Sequence, residues 1–298
     1  MFDSLEKIKA GVEFDRVLDD IRDKISDIRM PIAVIQKQDL RNIVRDFDLD
    51  PCRGHANDAV SVEVWYHRVS KVEDQSQNPV LYYKHQDEQE SGFSDDDIVL
   101  IIANSFQRKM LSKFGNNIIC IDSTHDTTEY DFYLTTLVVV DEYGAGVPVA
   151  YCISNKKDTR TWCTFFQKLK EHLEVGVLSP KVFMSDDDKS FYNAWCEVMG
   201  PVPHRLLCTW HVDKNWREKL KERISIPEKR AAVYKALRVL LQEVDVQVFQ
   251  TLLRSFLIEI MEDDDTKLFG DYFKSNYACR TETWAYCYRR NCGINTNM

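Results

Sequence analysis

Two short apolar runs, each closing on an aspartate, constrain this chain more than anything else in its sequence. Ile118-Ile119-Cys120-Ile121 leads into Asp122, and Lys181-Val182-Phe183-Met184 leads through Ser185 into Asp186. A continuous apolar run of this length between turn signals is the pattern of a strand buried on both faces. The aspartate at its end is then delivered at the sheet edge. Between the two runs lie FYLTTLVVVD (132–141) and VPVAYCI (147–153), both strand-like, joined by the Gly-containing loop Glu142-Tyr143-Gly144-Ala145-Gly146. That loop predicts an antiparallel hairpin. Trp162, Phe165, Phe166, Leu169 and Leu173 follow with helical spacing, residues 191–199 read as another helix, and Arg205-Leu206-Leu207-Cys208 as a fifth strand. The order β-β-β-α-β-α-β predicts an α/β fold: a mixed five-stranded sheet flanked by helices. In such a sheet the first and fourth strands can lie side by side, so that Asp122 and Asp186 converge.

The flanks are helical in pattern. Residues 2–29 place Leu5, Ile8, Val12, Val17, Leu18, Ile21, Ile25 and Ile28 near a 3.6-residue period, and a shorter helix is expected over 36–47 before Pro51. Residues 79–84 are a short strand candidate. Ser94-Asp95-Asp96-Asp97 reads as the cap of a helix running through Ile98, Leu100, Ile101, Ala103, Phe106, Met110 and Leu111 to Gly115. After Cys208 the chain is almost wholly helical, over 215–223, 227–241, 246–261 and 267–288. Three regions are therefore expected: a largely helical N-terminal region (1–94), a sheet core (95–212), and a mostly helical insertion (213–298).

Composition narrows the function classes. No apolar run approaches the roughly 18–20 residues of a membrane span, and the N-terminus MFDSLEKIKA lacks the apolar stretch of a signal peptide. Nine cysteines, an odd number spread over the whole length, argue against a secreted disulfide framework and for a reduced compartment. With 39 Lys and Arg against 48 Asp and Glu, the net charge of −9 argues against a surface that grips nucleic acid all over, while leaving room for a local basic face. The stretch 205–238 is such a place, with ten Lys/Arg against four acids. Arg205, Lys214, Arg217, Lys219, Lys221 and Arg223 are its candidate DNA contacts. The alternative is a solvated helix laced by pairs such as Lys219–Glu222 and Lys214–Glu218.

The chemistry that Asp122 and Asp186 suggest is metal-assisted. Paired carboxylates with a third acid bind two divalent cations about 3.5–4 Å apart for in-line phosphodiester displacement, and hard oxygen donors suit Mg²⁺ or Mn²⁺. Acids also sit at strand ends simply because turns favour them. Cys208-Thr209-Trp210-His211 is a C-x-x-H that supplies two of the four donors of a structural zinc site; a buried Cys beside a hydrogen-bonded His is the other reading. His125, three residues after Asp122, is either an orienting group or a turn histidine.

These blocks resemble those of a known family. Asp122-Ser123-Thr124-His125-x-Thr127-x-x-Tyr130, the Met184-Ser185-Asp186 block followed by Phe191-x-x-Ala194-Trp195, and His204-Arg205-x-Leu207-Cys208-x-Trp210-His211-x-x-x-Asn215 look like successive blocks of Mutator-like element (MULE) transposases. The resemblance covers about residues 95–298. It implies an RNase H-like fold, DNA strand cleavage and joining by a DDE triad with Mg²⁺ or Mn²⁺, and a helical insertion before the last acid. Asp122 and Asp186 would be the catalytic metal ligands, with His125, Cys208 and His211 as motif residues around them. DNA, as transposon ends and target, is the implied partner, a homo-oligomer is compatible, and the nucleus is the expected compartment. The family's glutamate is expected just beyond Met298, so the chain reads as C-terminally truncated; Glu259, Glu262 and Glu282 are misplaced for that role. A transposase-derived, non-catalytic DNA-binding or transcriptional regulatory protein is the alternative.

Overall fold

Seven strands build one mixed sheet: β1 (Val80–Lys84), β2 (Val99–Ile102), β3 (Ile118–Thr124), β4 (Tyr133–Val140), β5 (Gly146–Ser154), β6 (Val182–Ser185) and β7 (His204–Leu207). The computed structural model describes residues 6–7, 12–23, 35–46, 54–55, 57–90, 92–125, 130–173 and 176–292, and divides the chain into two units, 1–75 and 76–298. The whole sheet lies in the second unit, in the spatial order β1-β2-β5-β4-β3-β6-β7. β3–β6 and β6–β7 pair in parallel; the other neighbours are antiparallel.

The sequence explains the centre of the sheet well. In β4 the alternate residues Thr135, Leu137 and Val139 are fully buried, as period-two patterning requires. Every residue of β6 is buried, as expected for a parallel strand covered on both faces. Two strands stand outside the five expected from 118–208. β1 corresponds to the candidate at 79–84. β2 occupies a segment whose pattern reads as helix, and that reading is corrected: Val99, Leu100, Ile101 and Ile102 pair with Ser154, Ile153, Cys152 and Tyr151 of β5. A short run of apolar, β-branched residues satisfies either period, and an open strand edge decides between them. The helix α4 (Ser105–Phe114) starts later, at Asn104, which makes a capping box with Gln107. Asp97, expected as a cap, is instead buried, accepting the Ser94 N–H at 2.8 Å and facing the Lys156 ammonium at 2.6 Å. The Lys84 ammonium, fully buried at the end of β1, donates to the carbonyls of His85, Asp95 and Asp97 at 3.1, 3.3 and 2.8 Å.

Helices α5 (Thr159–Glu171) and α6 (Lys189–Val198) bridge β5 to β6 and β6 to β7. They bury aromatic rings against the sheet: Trp162 meets Phe191 at 4.7 Å between centroids and Phe166 meets Trp195 at 5.1 Å. After β7 come α7 (Thr209–Arg223), α8 (Pro227–Gln242), α9 (Val246–Glu262), α10 (Lys267–Asn276) and α11 (Tyr286–Arg289). Their shared core centres on Trp216, whose ring lies 5.2, 5.4 and 5.9 Å from those of Trp284, Tyr277 and Phe273. Among the described residues of the other unit, helices stand at Phe14–Asp23, Lys37–Asp46 and Asp58–Ser70, and Val17, Leu18 and Leu40 form a small buried cluster. The expected helix over 2–29 is described only in part, and residues 293–298 lie outside the described residues. No helix among the described residues is long and apolar enough to cross a membrane.

The helical layer can be tested for stability at two places. Trp216→Ala, at a fully buried aromatic centre, should cost about 3–5 kcal/mol, read as a lowered urea midpoint; an unchanged midpoint would contradict this account of the layer. Asp213 ties α7 to α8 by accepting from Arg217 Nε at 2.9 Å, the Tyr234 hydroxyl at 2.9 Å and Arg238 at 3.0 Å. Burial opposes ionisation of Asp213, yet these three donors outweigh it and hold the carboxyl below its ordinary range. A depressed carboxyl contributes stability that is complete above its unfolded value and is lost as pH falls through its folded value. Asp213→Asn should therefore flatten the acid limb of a stability–pH curve and cost about 1–3 kcal/mol near neutrality, measured by denaturation at a series of pH values.

Candidate functional site

The two aspartates meet because β3 and β6 run side by side in the same direction. Ile118, Ile119 and Cys120 pair with Val182, Phe183 and Met184, so Asp122 and Asp186 both stand two residues past the last of these pairs. Asp122 is still held within the sheet, opposite Thr136 of β4, while the neighbouring Ser123 and Thr135 hydroxyls bond at 2.8 Å. Asp186 begins the turn into α6. Its carboxylate accepts the Asp188 N–H at 3.1 Å, and Asp188 in turn caps α6 through the Ser190 N–H at 2.8 Å. The Asp122 side chain is 55% exposed and that of Asp186 only 20%.

The Cys208–His211 turn closes over this edge. β7 runs parallel to β6, and the Cys208 N–H donates to the Ser185 carbonyl at 2.7 Å, so that α7 starts beside the second aspartate. His211, one turn in, brings its Nε2 to 3.7 Å from an Asp122 oxygen. His211 also lines both cavities at this edge. One, about 310 Å³, includes Asp122, Thr136 and Cys208; the other, about 410 Å³, includes Asp186, Lys214 and Tyr277. Lys157 approaches the second aspartate, 3.9 Å from Asp186 and 3.6 Å from Asp188.

Electrostatics at the edge follow from this crowding. Burial raises the Asp186 carboxyl above its ordinary value, and the nearby Asp188 charge adds to it, against the Asp188 N–H, Lys157 and His211. The hydrogen bond with Cys208, and then the Asp122 and Asp186 charges, raise His211 in spite of burial. Burial alone would raise the Cys208 thiol, but its hydrogen bonds with His211 outweigh that and lower it. Cys120, deeper in the same cavity, is pushed by burial up to about 12.

The other residues singled out in the sequence fall in different places. His125 is exposed just past β3. Arg205 stacks on Tyr192, at 4.7 Å, and Arg223 on Tyr272, at 4.8 Å. Arg217 engages Asp213, and Lys219 bonds Glu222 at 2.6 Å. Lys214 and Lys221 are exposed. Several residues of the site escape a sequence reading. Arg280 grips Asp187 with two bonds of 2.5 Å, and Arg289, fully buried, donates to the Leu207 carbonyl at 2.8 Å and faces the Met184 sulfur at 3.2 Å. The run Asp186-Asp187-Asp188 is a visible signal for half of these contacts; the arginines carry no local signal.

The donors fit a metal only in part. Asp122 and Asp186 are hard oxygen donors at neighbouring strand ends, the right chemistry for Mg²⁺ or Mn²⁺. Among the described residues, however, no group of three or more His, Cys, Asp and Glu side chains is placed to hold a metal ion. The same shortage applies to zinc at Cys208 and His211, which needs four donors.

A search of curated proteins finds no match. Among solved structures, the chain is similar to one described as "Drosophila P element transposase strand transfer complex", with 11% identity over 88% of this chain and 70% of that one, and a TM-score of 0.30. A family comparison matches residues 118–215 to the MULE transposase domain. Asp122, Asp186 and the Cys208–His211 turn all fall inside this matched segment.

Proposed function

We propose that this chain is the DNA-handling core of a Mutator-like element transposase, with an RNase H-like arrangement in which Asp122 and Asp186 face the DNA phosphodiester. The observation that carries this reading is the parallel β3–β6 register, which sets two carboxylates at one sheet edge within a segment that matches the MULE transposase domain. The match to that family suggests Mg²⁺ or Mn²⁺ as cofactor. The described residues provide two carboxylates toward it and no three-donor group, so strand cleavage needs a further ligand from outside them.

The protein's own groups have separate tasks in this reading. The Lys157 ammonium offsets the mutual repulsion of the acids from the Asp186 side, and the His211 ring does so from the Asp122 side when it is protonated. Arg280 fixes the Asp187 side chain, and with it the turn from which Asp186 projects. Lys214, exposed at the rim of the larger cavity, supplies a cation for the DNA backbone.

A second reading is favoured by the two-carboxylate donor set of the described residues: a transposase-derived DNA-binding or regulatory protein without strand chemistry. One assay tests what the two readings share, and a second tells them apart. Both readings expect duplex DNA affinity to fall at least about tenfold between roughly 50 and 200 mM salt; a flat salt response would overturn both. In nicking of supercoiled DNA with Mg²⁺ or Mn²⁺, the chain is expected to cleave no faster than its Asp122→Asn variant. Cleavage at least about a hundredfold above that control, lost again in Asp186→Asn, would overturn the incomplete site and establish a working one.

A further inference from the structure

Trp210 is an exception among the tryptophans of this chain. Trp162, Trp195, Trp216 and Trp284 are fully buried, and Trp65 is half-buried, whereas Trp210 is 58% exposed. Its position explains why. Helix α7 buries Val212, Trp216 and Leu220, spaced four residues apart along one stripe, and Trp210 stands off that stripe in the first turn. An indole left in water forgoes the burial that a packed tryptophan gains, and the packing of α7 does not use it.

Its surroundings point to a ligand with both a flat face and a negative charge. The Trp210 ring lies 4.7 Å from the His211 ring at an interplanar angle of 89°, and His211 in turn lies 3.7 Å from Asp122. The indole is therefore two side-chain contacts from the carboxylate pair. The Lys214 ammonium stands over the indole, 5.4 Å from the ring centroid, and belongs to the lining of the cavity that holds Asp186. A nucleotide matches both groups, its base the indole and its phosphate the ammonium. Magnitudes favour the exchange. An exposed cation–π contact is worth roughly 0.5–1 kcal/mol, while stacking a base on an aromatic side chain is worth roughly 1–3 kcal/mol. A base can thus displace Lys214 from the ring, and the freed ammonium can take up a neighbouring phosphate. Inside a duplex both faces of a base are already stacked on neighbours, so an unpaired base that can leave the stack offers the open face this contact needs.

We propose that Trp210 is a stacking platform for one unpaired base of the DNA strand held at the Asp122–Asp186 edge, with Lys214 moving from the indole to an adjacent phosphate. The proposal rests on the DNA-handling reading above and names the form of DNA that the site prefers.

The test uses the full chain and two duplexes of the same sequence, one fully paired and one with a single unpaired 2-aminopurine. Binding is followed by anisotropy of an end label, and stacking by quenching of the 2-aminopurine. The chain should prefer the duplex with the unpaired base by about 5- to 150-fold and quench its fluorescence. In Trp210→Ala the preference should fall to about one and the quenching disappear; Trp210→Phe should restore most of both. Lys214→Ala should weaken binding of the unpaired probe and reduce its salt dependence while the quenching persists. If the chain binds both probes equally, or if Trp210→Ala keeps the preference, the platform is overturned while DNA handling stands. If neither probe binds at low salt, both fall.

Discussion

The parallel register between β3 and β6 is the constraint on which the site depends. Side chains in a strand alternate between faces, so a slip of one residue would turn Asp186 to the opposite side of the sheet from Asp122. The slip is opposed by burial: Val182, Phe183 and Met184 are each at most 3% exposed, and a shifted register would exchange the residues that face each layer. The sheet thus uses apolar packing to hold two like charges near one another. Two neighbours ease this, from two different parts of the chain: the Lys157 ammonium from the segment before α5, and from α7 the His211 ring, whose protonated form the acids favour.

The helical layer contributes to that edge as well as covering it. Arg289 satisfies the Leu207 carbonyl at the point where β7 gives way to α7. No ion pair offsets the burial of its guanidinium among the described residues, and burial lowers its pKa; the nearby Cys208, Cys120 and Cys292 act in the opposite sense. Two arginines from the end of the chain therefore act on adjacent strand ends, Arg280 through a carboxylate and Arg289 through a backbone carbonyl.

Much of the sheet is legible in the sequence, because buried strands write their pattern locally. The five strands from 118 onward, the hairpin between β4 and β5, and the adjacency of β3 and β6 all follow from apolar runs, turn residues and chain order. β2 is not legible: the apolar run from Ile98 to Ile102 fits a helix as well as a strand, and what selects the strand is the edge of β5, remote in sequence. The basic stretch shows a different limit. Counting charge cannot reveal that Arg217 is engaged by Asp213 or that Arg205 and Arg223 lie over tyrosine rings, since those partners are set by how helices pack. For the same reason Lys84, an ordinary lysine in the sequence, cannot be read there as a fully buried donor to three carbonyls.

The Asp187–Arg280 pair has a consequence for synthesis. Its partners are separated by 93 residues. A ribosome adding about 5–20 residues per second needs several seconds or more to travel from one to the other. During that interval every strand of the sheet has been synthesised, while the arginine that holds the turn beside Asp186 has not. The group that secures the site edge is therefore the last of these parts that the ribosome makes.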